Sequence, residues 1–259
     1  MINQFEINSL KKSYNEGKPF KNLVIDEFIN NELAKKISNE FPEFDSKIWR
    51  NYDNPIEVKR LTNHYDNFGP ESYKLFNYLN SNEFIDKLSF ITGIDLIPDY
   101  GLNGGGYHIH KSGGKLNAHL DYSVHPKLNL ERRINLIIYV TPNWNEKFGG
   151  NLGFWSGDEN SPKKLIKSIS PNFNRAVIFD TSENSWHGLP EPLNLPKGVY
   201  RKSLAIYYLS KKRKNISNRG KALFHPYKDQ IKDPKILELI KNRSDSKLFS
   251  SVYETNSKK

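Results

Sequence analysis

From Gly105 onward the chain consists of short β-rich runs separated by turn residues, and this pattern constrains its fold more than any other feature. The separating residues are mainly Gly, Pro, Asn and Asp, which form turns and end strands. The eight runs cover residues 106–111, 116–123, 132–141, 151–156, 164–170, 175–181, 186–189 and 200–210. Short strands at this spacing predict a mainly β fold with flanking helices, a jelly roll (double-stranded β-helix) of eight core strands whose interior can hold a ligand.

The residues before these runs favour helices. Residues 20–42 predict a short apolar strand followed by a helix that begins at Asn30 or Asn31, because Asn is a preferred helix N-cap. Helical patterns recur at 70–79 and 82–91. We therefore expect three regions, which are a helical support of the sheet in 1–96, the jelly-roll core in 97–210 and a basic extension in 211–259.

The composition excludes several kinds of site. The 259 residues include no cysteine, so disulfides, iron–sulfur clusters and thiol catalysis are excluded, and any metal must be bound by His, Asp or Glu. The N-terminal residues lack an apolar run of the signal-peptide type, and no stretch is long enough to span a bilayer. We therefore expect a soluble cytoplasmic protein that does not contact membranes.

The net charge of +10 is concentrated in residues 211–259, which contain fourteen Lys and Arg against five Asp and Glu. Such a segment could attract nucleic acid, anionic lipid or an acidic protein partner. The pattern favours a solvated, partly helical extension, because basic residues alone do not identify a partner. The sequence indicates no oligomeric state.

His119 and Asp121 are the strongest metal-ligand candidates. On a strand, residues two apart face the same side, so this imidazole and this carboxylate can reach one ion. A third ligand is needed, and His187, close after the run 175–181, is the best candidate. Two histidines and one carboxylate leave three coordination positions open, as in non-haem Fe(II) oxygenases. An HxD pair is weak by itself, but these three residues lie on runs that are neighbours in a jelly roll.

These motifs resemble the Fe(II)/2-oxoglutarate-dependent dioxygenases, in particular their prolyl-4-hydroxylase-like branch. The matching elements are HLD at 119–121, RRINLIIYVTPNW at 132–144, FGGNLGFW at 148–155, and RAVIFDTSENSWHGLPEP leading to YRKSLAIYYLS. The resemblance covers about residues 97–210, and VIDEFINNELAKKI also looks like the entry helix of that branch. It implies that His119, Asp121 and His187 bind Fe(II), to which 2-oxoglutarate then chelates.

The resemblance also implies a set of co-substrate contacts. Arg201 would pair with the far carboxylate of 2-oxoglutarate, which suits a planar guanidinium. Ser203 faces the same side and could add a hydroxyl donor, while Tyr139 and Asn135 match positions that contact the co-substrate in relatives. His110 belongs to the same set of expected contacts and stands at a position where relatives often carry Tyr.

The implied reaction consumes O2 and 2-oxoglutarate, releases succinate and CO2, and hydroxylates an unactivated C–H bond. Ascorbate is expected as a reductant, as in that branch. A prolyl side chain in a protein is the substrate that the family suggests, and a small metabolite is the alternative. Residues 43–69 and 122–131, which are irregular in pattern, are expected to form the rim that selects it.

Three alternatives stay open. A cupin would begin its metal motif with His108 and His110, but the Glu expected a few residues later is replaced by Gly114 and Lys115. A nucleic-acid-directed oxygenase would carry another Arg six residues after Arg201, where this chain has Tyr207. A non-catalytic jelly roll could bind a sugar or a protein. His108, His110 and His125 are expected to be structural or rim residues rather than iron ligands.

Overall fold

The computed structural model describes residues 1–245, 247, 248 and 252. The helices are α1 (Ile7–Glu16), α2 (Asn31–Asn39), α3 (Pro70–Leu79), α4 (Asn82–Thr92) and α5 (Pro234–Ser244). The strands are β1 (Asn22–Ile25), β2 (Arg50–Asn54), β3 (Glu57–Thr62), β4 (Ile97–Pro98), β5 (Gly106–His110), β6 (Lys115–Leu116), β7 (His119–Leu120), β8 (Glu131–Tyr139), β9 (Leu152–Gly157), β10 (Pro162–Ile169), β11 (Ala176–Asp180), β12 (His187–Gly188), β13 (Arg201–Ser210) and β14 (Leu223–Phe224). None of the described helices is both long and apolar enough to cross a membrane.

The strands form two antiparallel sheets. The larger one has the order β1-β11-β8-β13-β5-β3-β2, with β4 beside β13 and β6 beside β3. The smaller one has the order β10-β9-β12-β7-β14. Side chains of both sheets pack together between them, among them Leu152 and Phe154 from the smaller sheet and Val177 and Phe179 from the larger. The predicted fold class, a mainly β jelly roll with flanking helices, is confirmed.

The central strands of the larger sheet are buried on both faces. Alternate side chains of β8 point to opposite sides, so Leu136 and Ile138 join the core under the helices while Asn135 and Tyr139 face the interior of the jelly roll. Tyr139 lies opposite Ser203 of β13. Polar side chains on an otherwise apolar strand therefore identify the face that lines the interior.

The N-terminal region supplies strands as well as helices. Helices α2, α3 and α4 cover the outer face of the larger sheet, and α2 begins after Asn30, whose side-chain oxygen accepts hydrogen bonds from the amides of Glu32 and Leu33. Strands β2 and β3 form a hairpin that extends the sheet beyond β5. The sequence pattern of residues 43–69 predicted no element, because this hairpin places polar side chains on both of its faces.

The C-terminal segment also differs from the solvated extension that its charge suggested. Strand β14 pairs with β7, and the Phe224 ring is buried against Ile56 and Ile240. The Asn117 side chain donates to the His225 carbonyl oxygen at 3.0 Å. The described part of the segment is therefore packed against the jelly roll. The apolar residues responsible are too few and too separated to form a recognisable pattern.

We expect Phe224→Ala to lower the free energy of unfolding by about 3–4 kcal/mol, because it removes a buried ring and leaves a cavity. Leu237→Ala on α5 is the matched control, since Leu237 is 43% exposed and its loss changes stability by less than about 0.5 kcal/mol. Urea unfolding of the metal-free variants, followed by circular dichroism, measures both. Small and equal effects would contradict the packing of this segment.

Candidate metal centre

The metal centre begins with the pairing of two very short strands. His119 on β7 lies directly opposite His187 on β12, and the two ring centroids are 4.3 Å apart. Asp121 follows immediately after β7. Although 68 residues separate the histidines in sequence, the register of the smaller sheet makes them neighbours. The structure thus brings together the three ligands that the sequence predicted.

The three side chains direct one ligand atom each toward a common point. The Nε2 atom of His119 lies 3.8 Å from one carboxylate oxygen of Asp121, and Nε2 of His187 lies 3.7 Å from the other. One ligand atom from each residue lies within 4.8 Å of the other two, and all three residues are buried. One ion can therefore be reached by two nitrogens and one oxygen.

The hydrogen bonds of the rings leave these ligand atoms able to bind a cation. Nδ1 of His119 donates to the Asn117 carbonyl oxygen at 3.0 Å, and Nδ1 of His187 donates to the Ser185 carbonyl oxygen at 2.9 Å. Each Nε2 atom therefore carries a lone pair. Burial lowers the pKa of His119 to about 3 and lowers that of His187, so both rings are neutral at pH 7.

The carboxylate of Asp121 is the third donor. Burial by itself raises the pKa of Asp121, but the neighbouring His187, Arg132 and His119 outweigh that effect and hold it below its usual value. Its Oδ2 atom is buried with no hydrogen-bond partner among the described residues. A buried, ionised oxygen without a donor is costly. Together with two neutral imidazoles, it fits a divalent ion such as Fe(II).

Arg132 lies behind the carboxylate and was not predicted as a site residue. Its Nη1 atom is 3.7 Å from Oδ1 of Asp121, and its guanidinium carbon lies 3.4 Å from the ring centroids of both Tyr122 and Tyr207. It also donates to the Asn103 carbonyl oxygen. The guanidinium is therefore held in one position beside Asp121. The sequence offered only an Arg pair at the start of a strand, which does not distinguish this role from a surface charge.

Arg201 opens β13 inside the same cavity. Its Nε atom donates to the Gly150 carbonyl oxygen at 2.8 Å, and Nη2 donates to the Tyr139 hydroxyl at 3.3 Å. Arg201 is buried, with only 5% of its surface exposed. Even so, no acidic side chain in the described part of the chain forms an ion pair with it. Burial lowers the pKa of Arg201. A buried guanidinium without a carboxylate partner is suited to an anionic ligand.

The other predicted co-substrate contacts surround Arg201. Ser203 lies two residues further on the same face, Asn135 faces the same interior, and His110 pairs with Arg201 across β5 and β13. Both ring nitrogens of His110 are buried without a partner among the described residues. Burial, followed by the charge of Arg201, lowers the pKa of His110 well below its usual value. His110 is therefore a neutral ring with unused hydrogen-bonding capacity.

His108 and His125, which were expected to be structural or rim residues, lie in two different environments. His108 lines the cavity, and its Nε2 atom donates to the Gly104 carbonyl oxygen at 3.2 Å. His125 lies outside the cavity lining, where its Nδ1 atom accepts from the amide of Leu128 at 3.0 Å. Neither belongs to the group of ligand atoms around Asp121. His108 and His110, with which a cupin would begin its metal motif, are both outside this group, so the geometry does not support the cupin alternative.

A single cavity of about 320 Å³ connects these groups. The residues that line it include His119, Asp121, His187, Arg201, Ser203, Asn135 and His110. Tyr139 lies behind this lining, where its hydroxyl accepts a hydrogen bond from Arg201. This jelly roll encloses two histidines, one carboxylate and the buried guanidinium of Arg201. These features are typical of one class of protein, the mononuclear non-haem iron oxygenases with a facial ligand set. This class requires the ligands on one side of the ion and open positions on the other.

Comparison with known sequences identifies the family of the central region. Residues 105–209 match the model of the 2OG-Fe(II) oxygenase superfamily, so this region is a 2OG-Fe(II) oxygenase domain that resembles prolyl hydroxylases. Prolyl 3-hydroxylase OGFOD1 of Mus musculus is 35% identical over 114 residues, which are 43% of this chain. The match covers 19% of that relative, so the chain corresponds to less than a fifth of its length.

Solved structures show the same fold at low sequence identity. A prolyl hydroxylase from Trichoplax adhaerens, in complex with a peptide fragment of the hypoxia inducible factor oxygen degradation domain, has a TM-score of 0.57 at 15% identity and covers 79% of this chain and 90% of its own. HygX from Streptomyces hygroscopicus, with nickel, 2-oxoglutarate and hygromycin B bound, has a TM-score of 0.51 at 11% identity. The match covers 80% of this chain and 88% of the HygX chain. The two differ in what they bind, so the fold alone does not identify a substrate.

We expect His187→Ala to weaken Mn(II) binding by more than about 100-fold, because it removes one of the three atoms that bind the ion. Loss of a residue that only hydrogen-bonds to a metal ligand already costs about 10–100-fold in affinity. His64→Ala is the control, since His64 is exposed and outside the site. Calorimetric titration of the metal-free protein with Mn(II) measures both affinities. Equal affinities in the two variants would show that the ion binds elsewhere.

Proposed function

We propose that this protein is an Fe(II)- and 2-oxoglutarate-dependent dioxygenase that hydroxylates an unactivated C–H bond, with the prolyl side chain of a protein as the first candidate substrate. The observation that carries the proposal is the presence in one cavity of a buried His119–Asp121–His187 set and the buried guanidinium of Arg201. In the overall reaction, 2-oxoglutarate, O2 and R–H become succinate, CO2 and R–OH. One oxygen atom enters the product alcohol and the other enters succinate.

Bound iron supplies the redox chemistry of this reaction, and the side chains hold, orient and shield the reactants. His119, Asp121 and His187 would hold the ion, with their orientation set by backbone carbonyls and by Arg132. Three protein ligands would leave coordination positions of the ion open for the co-substrates. Because the ligands are buried, bulk water is largely excluded, which limits side reactions.

Arg201 would bind the carboxylate of 2-oxoglutarate that is farther from the metal. The Gly150 carbonyl oxygen and the Tyr139 hydroxyl already orient the guanidinium, and Ser203 could add a hydroxyl donor. Asn135 and His110 would line the same pocket. In this arrangement, the negative charge of the co-substrate compensates a cation that is otherwise buried alone.

The identity of the primary substrate is supported only by likeness. The mouse relative is named a prolyl 3-hydroxylase and the Trichoplax adhaerens protein a prolyl hydroxylase, which favours a protein substrate. The complex of HygX with hygromycin B favours a small metabolite as the second candidate. Ascorbate as a reductant, a cytoplasmic location and a contact of the basic segment with an acidic partner stay predictions.

We expect Arg201→Gln to weaken 2-oxoglutarate binding to the Mn(II)-loaded protein by about 30-fold or more, because a buried charge pair is worth about 2 kcal/mol or more. Lys202→Gln is the matched control. Lys202 is the next residue of β13, and its Nζ atom donates to the Ser38 carbonyl oxygen on the opposite face of the sheet. Calorimetric titration with 2-oxoglutarate measures both variants, and equal weakening would contradict the assigned role of Arg201.

Catalysis is tested separately from binding. The Fe(II)-loaded protein, incubated with 2-oxoglutarate and cell extract in air, is expected to form succinate and to add one oxygen atom to a peptide or metabolite, detected by mass spectrometry. The His119→Ala variant should lose both signals, because the ion is then no longer held. Binding of Mn(II) and 2-oxoglutarate with no succinate formed by the Fe(II) enzyme would instead favour the non-catalytic binding protein.

A further inference from the structure

The lining of the cavity is strongly cationic. Among the described residues that line it, six are Arg or Lys and one is acidic. The acidic residue is Asp121, and the cations are Arg50, Lys59, Arg132, Arg201, Lys221 and Arg243. The proposed reaction accounts for two of the cations, since Arg201 faces the co-substrate and Arg132 is held beside Asp121. Four cations have no role in the iron chemistry.

These four side chains come from two regions that the family match does not include. Arg50 and Lys59 belong to the β2–β3 hairpin, where Arg50 pairs with Leu61 and Lys59 pairs with Tyr52. Lys221 and Arg243 come from the C-terminal segment, on either side of β14. Two separate parts of the chain thus place cations on one cavity. We call these four residues the cationic rim.

The cationic rim is partly buried and crowded. The Lys59 side chain is 12% exposed, and that of Arg243 is 9% exposed. The buried carboxylate of Glu57 serves both, at 3.4 Å from Lys59 Nζ and 2.7 Å from Arg243 Nε. Burial lowers the pKa of Lys221, and the charges of Arg243 and Arg50 lower it further. Cations placed this close together in a partly desolvated opening favour the binding of an anion.

The charges of the proposed reactants strengthen this conclusion. A divalent ion and Arg201 contribute three positive charges, and Asp121 and 2-oxoglutarate contribute three negative charges. Arg132, beside Asp121, adds one more positive charge, so the loaded metal site is not negative and the charge of the co-substrate is balanced without the cationic rim. Counted together with Glu57, the four residues of the cationic rim keep a net positive charge among the described residues. This net charge favours an anionic group on the molecule that enters last, which is the primary substrate.

We propose that the primary substrate carries a carboxylate or phosphate group close to the C–H bond that is hydroxylated, and that the cationic rim binds this group. The inference rests on the proposed function, because it assigns the anion to the substrate of that reaction. A carboxylate would come from an acidic side chain in a peptide, and a phosphate would come from a phosphorylated small molecule. Both groups are anions with oxygen acceptors, which the side chains of Lys59 and Arg50 can bind by charge-assisted hydrogen bonds.

Nucleic acid fits the same charges less well. Single strands are bound by open grooves in which cations follow the backbone and exposed aromatic rings stack on the bases. In this cavity the nearest rings are otherwise engaged, since Tyr52 is buried beside Lys59 and Tyr122 stacks on Arg132. The cations also surround one opening instead of following a surface path. A single anionic group fits this opening better than a row of phosphates.

The test uses the protein loaded with Mn(II) and 2-oxoglutarate, which fills the iron site and the Arg201 pocket without turnover. Two probe pairs are titrated by calorimetry: acetyl-Glu-Pro-Glu amide against its Gln analogue, and phenyl phosphate against phenol. We expect one anionic probe to bind at least about tenfold more tightly than its neutral partner, as a partly solvated ion pair allows. The pair that responds identifies the source of the anion.

Variants locate the binding to the cationic rim. Arg50→Gln and Lys59→Gln are each expected to reduce the affinity for the anionic probe about tenfold and to leave the affinity for the neutral partner unchanged. Lys12→Gln, on the exposed surface of α1, is the control. Arg50 is exposed, so its replacement keeps the test valid even if Lys59→Gln, which loses the contact with Glu57, fails to fold.

The outcomes separate this inference from the proposed function. Failure to bind Mn(II) or 2-oxoglutarate would overturn the proposed function before any probe is added. If both bind, then equal affinity for charged and neutral probes, no detectable binding of either anionic probe at millimolar concentration, or equal losses in Arg50→Gln and Lys12→Gln would each overturn the anionic substrate. If a twelve-nucleotide oligothymidine binds more tightly than either anionic probe, and Arg50→Gln loses this binding, the proposal is overturned in favour of a nucleic-acid substrate.

Discussion

The pairing of β7 with β12 is the interaction on which the rest of the structure depends. Both strands are two residues long, yet their register places His119 opposite His187 and orients both rings toward Asp121. Such short strands have little stability of their own, so the surrounding structure must hold them. The longer strand β9 lies on one side of the pair and β14 on the other. The C-terminal segment therefore supports the metal centre, because β14 pairs with β7 and the Phe224 ring stacks on His119.

The second constraint is the cost of burying charge. Asp121, Arg132 and Arg201 are all buried, and each has a different form of compensation. Arg132 lies between two tyrosine rings and beside Asp121, and two nearby histidines also favour the ionised carboxylate. Arg201 has the Gly150 carbonyl oxygen and the hydroxyl and ring of Tyr139 as partners, and no carboxylate within the described chain. This asymmetry distinguishes a charge placed for structure from a charge placed for a ligand.

The sequence predicted much of the fold and most of the central site. The family resemblance indicated Asn135, Tyr139, Arg201 and Ser203, and the structure places all four on strands β8 and β13 around the same interior. Their contacts with a co-substrate stay predictions. The β2–β3 hairpin and the packed C-terminal segment were missed. Charged and polar residues of these segments line a cavity among only a few apolar ones, and periodicity detects mainly the faces that pack into an apolar core. Arg132 was missed for the same reason.

The sequence by itself determined the strand pattern, the absence of thiol chemistry and the identity of the residues able to bind a metal, because these follow from local periodicity and from side-chain chemistry. Only the tertiary structure decided which distant residues share one cavity. The register of β7, β12 and β14 and the approach of Lys59, Lys221 and Arg243 depend on contacts between residues far apart in the chain. Local patterns carry no record of such contacts.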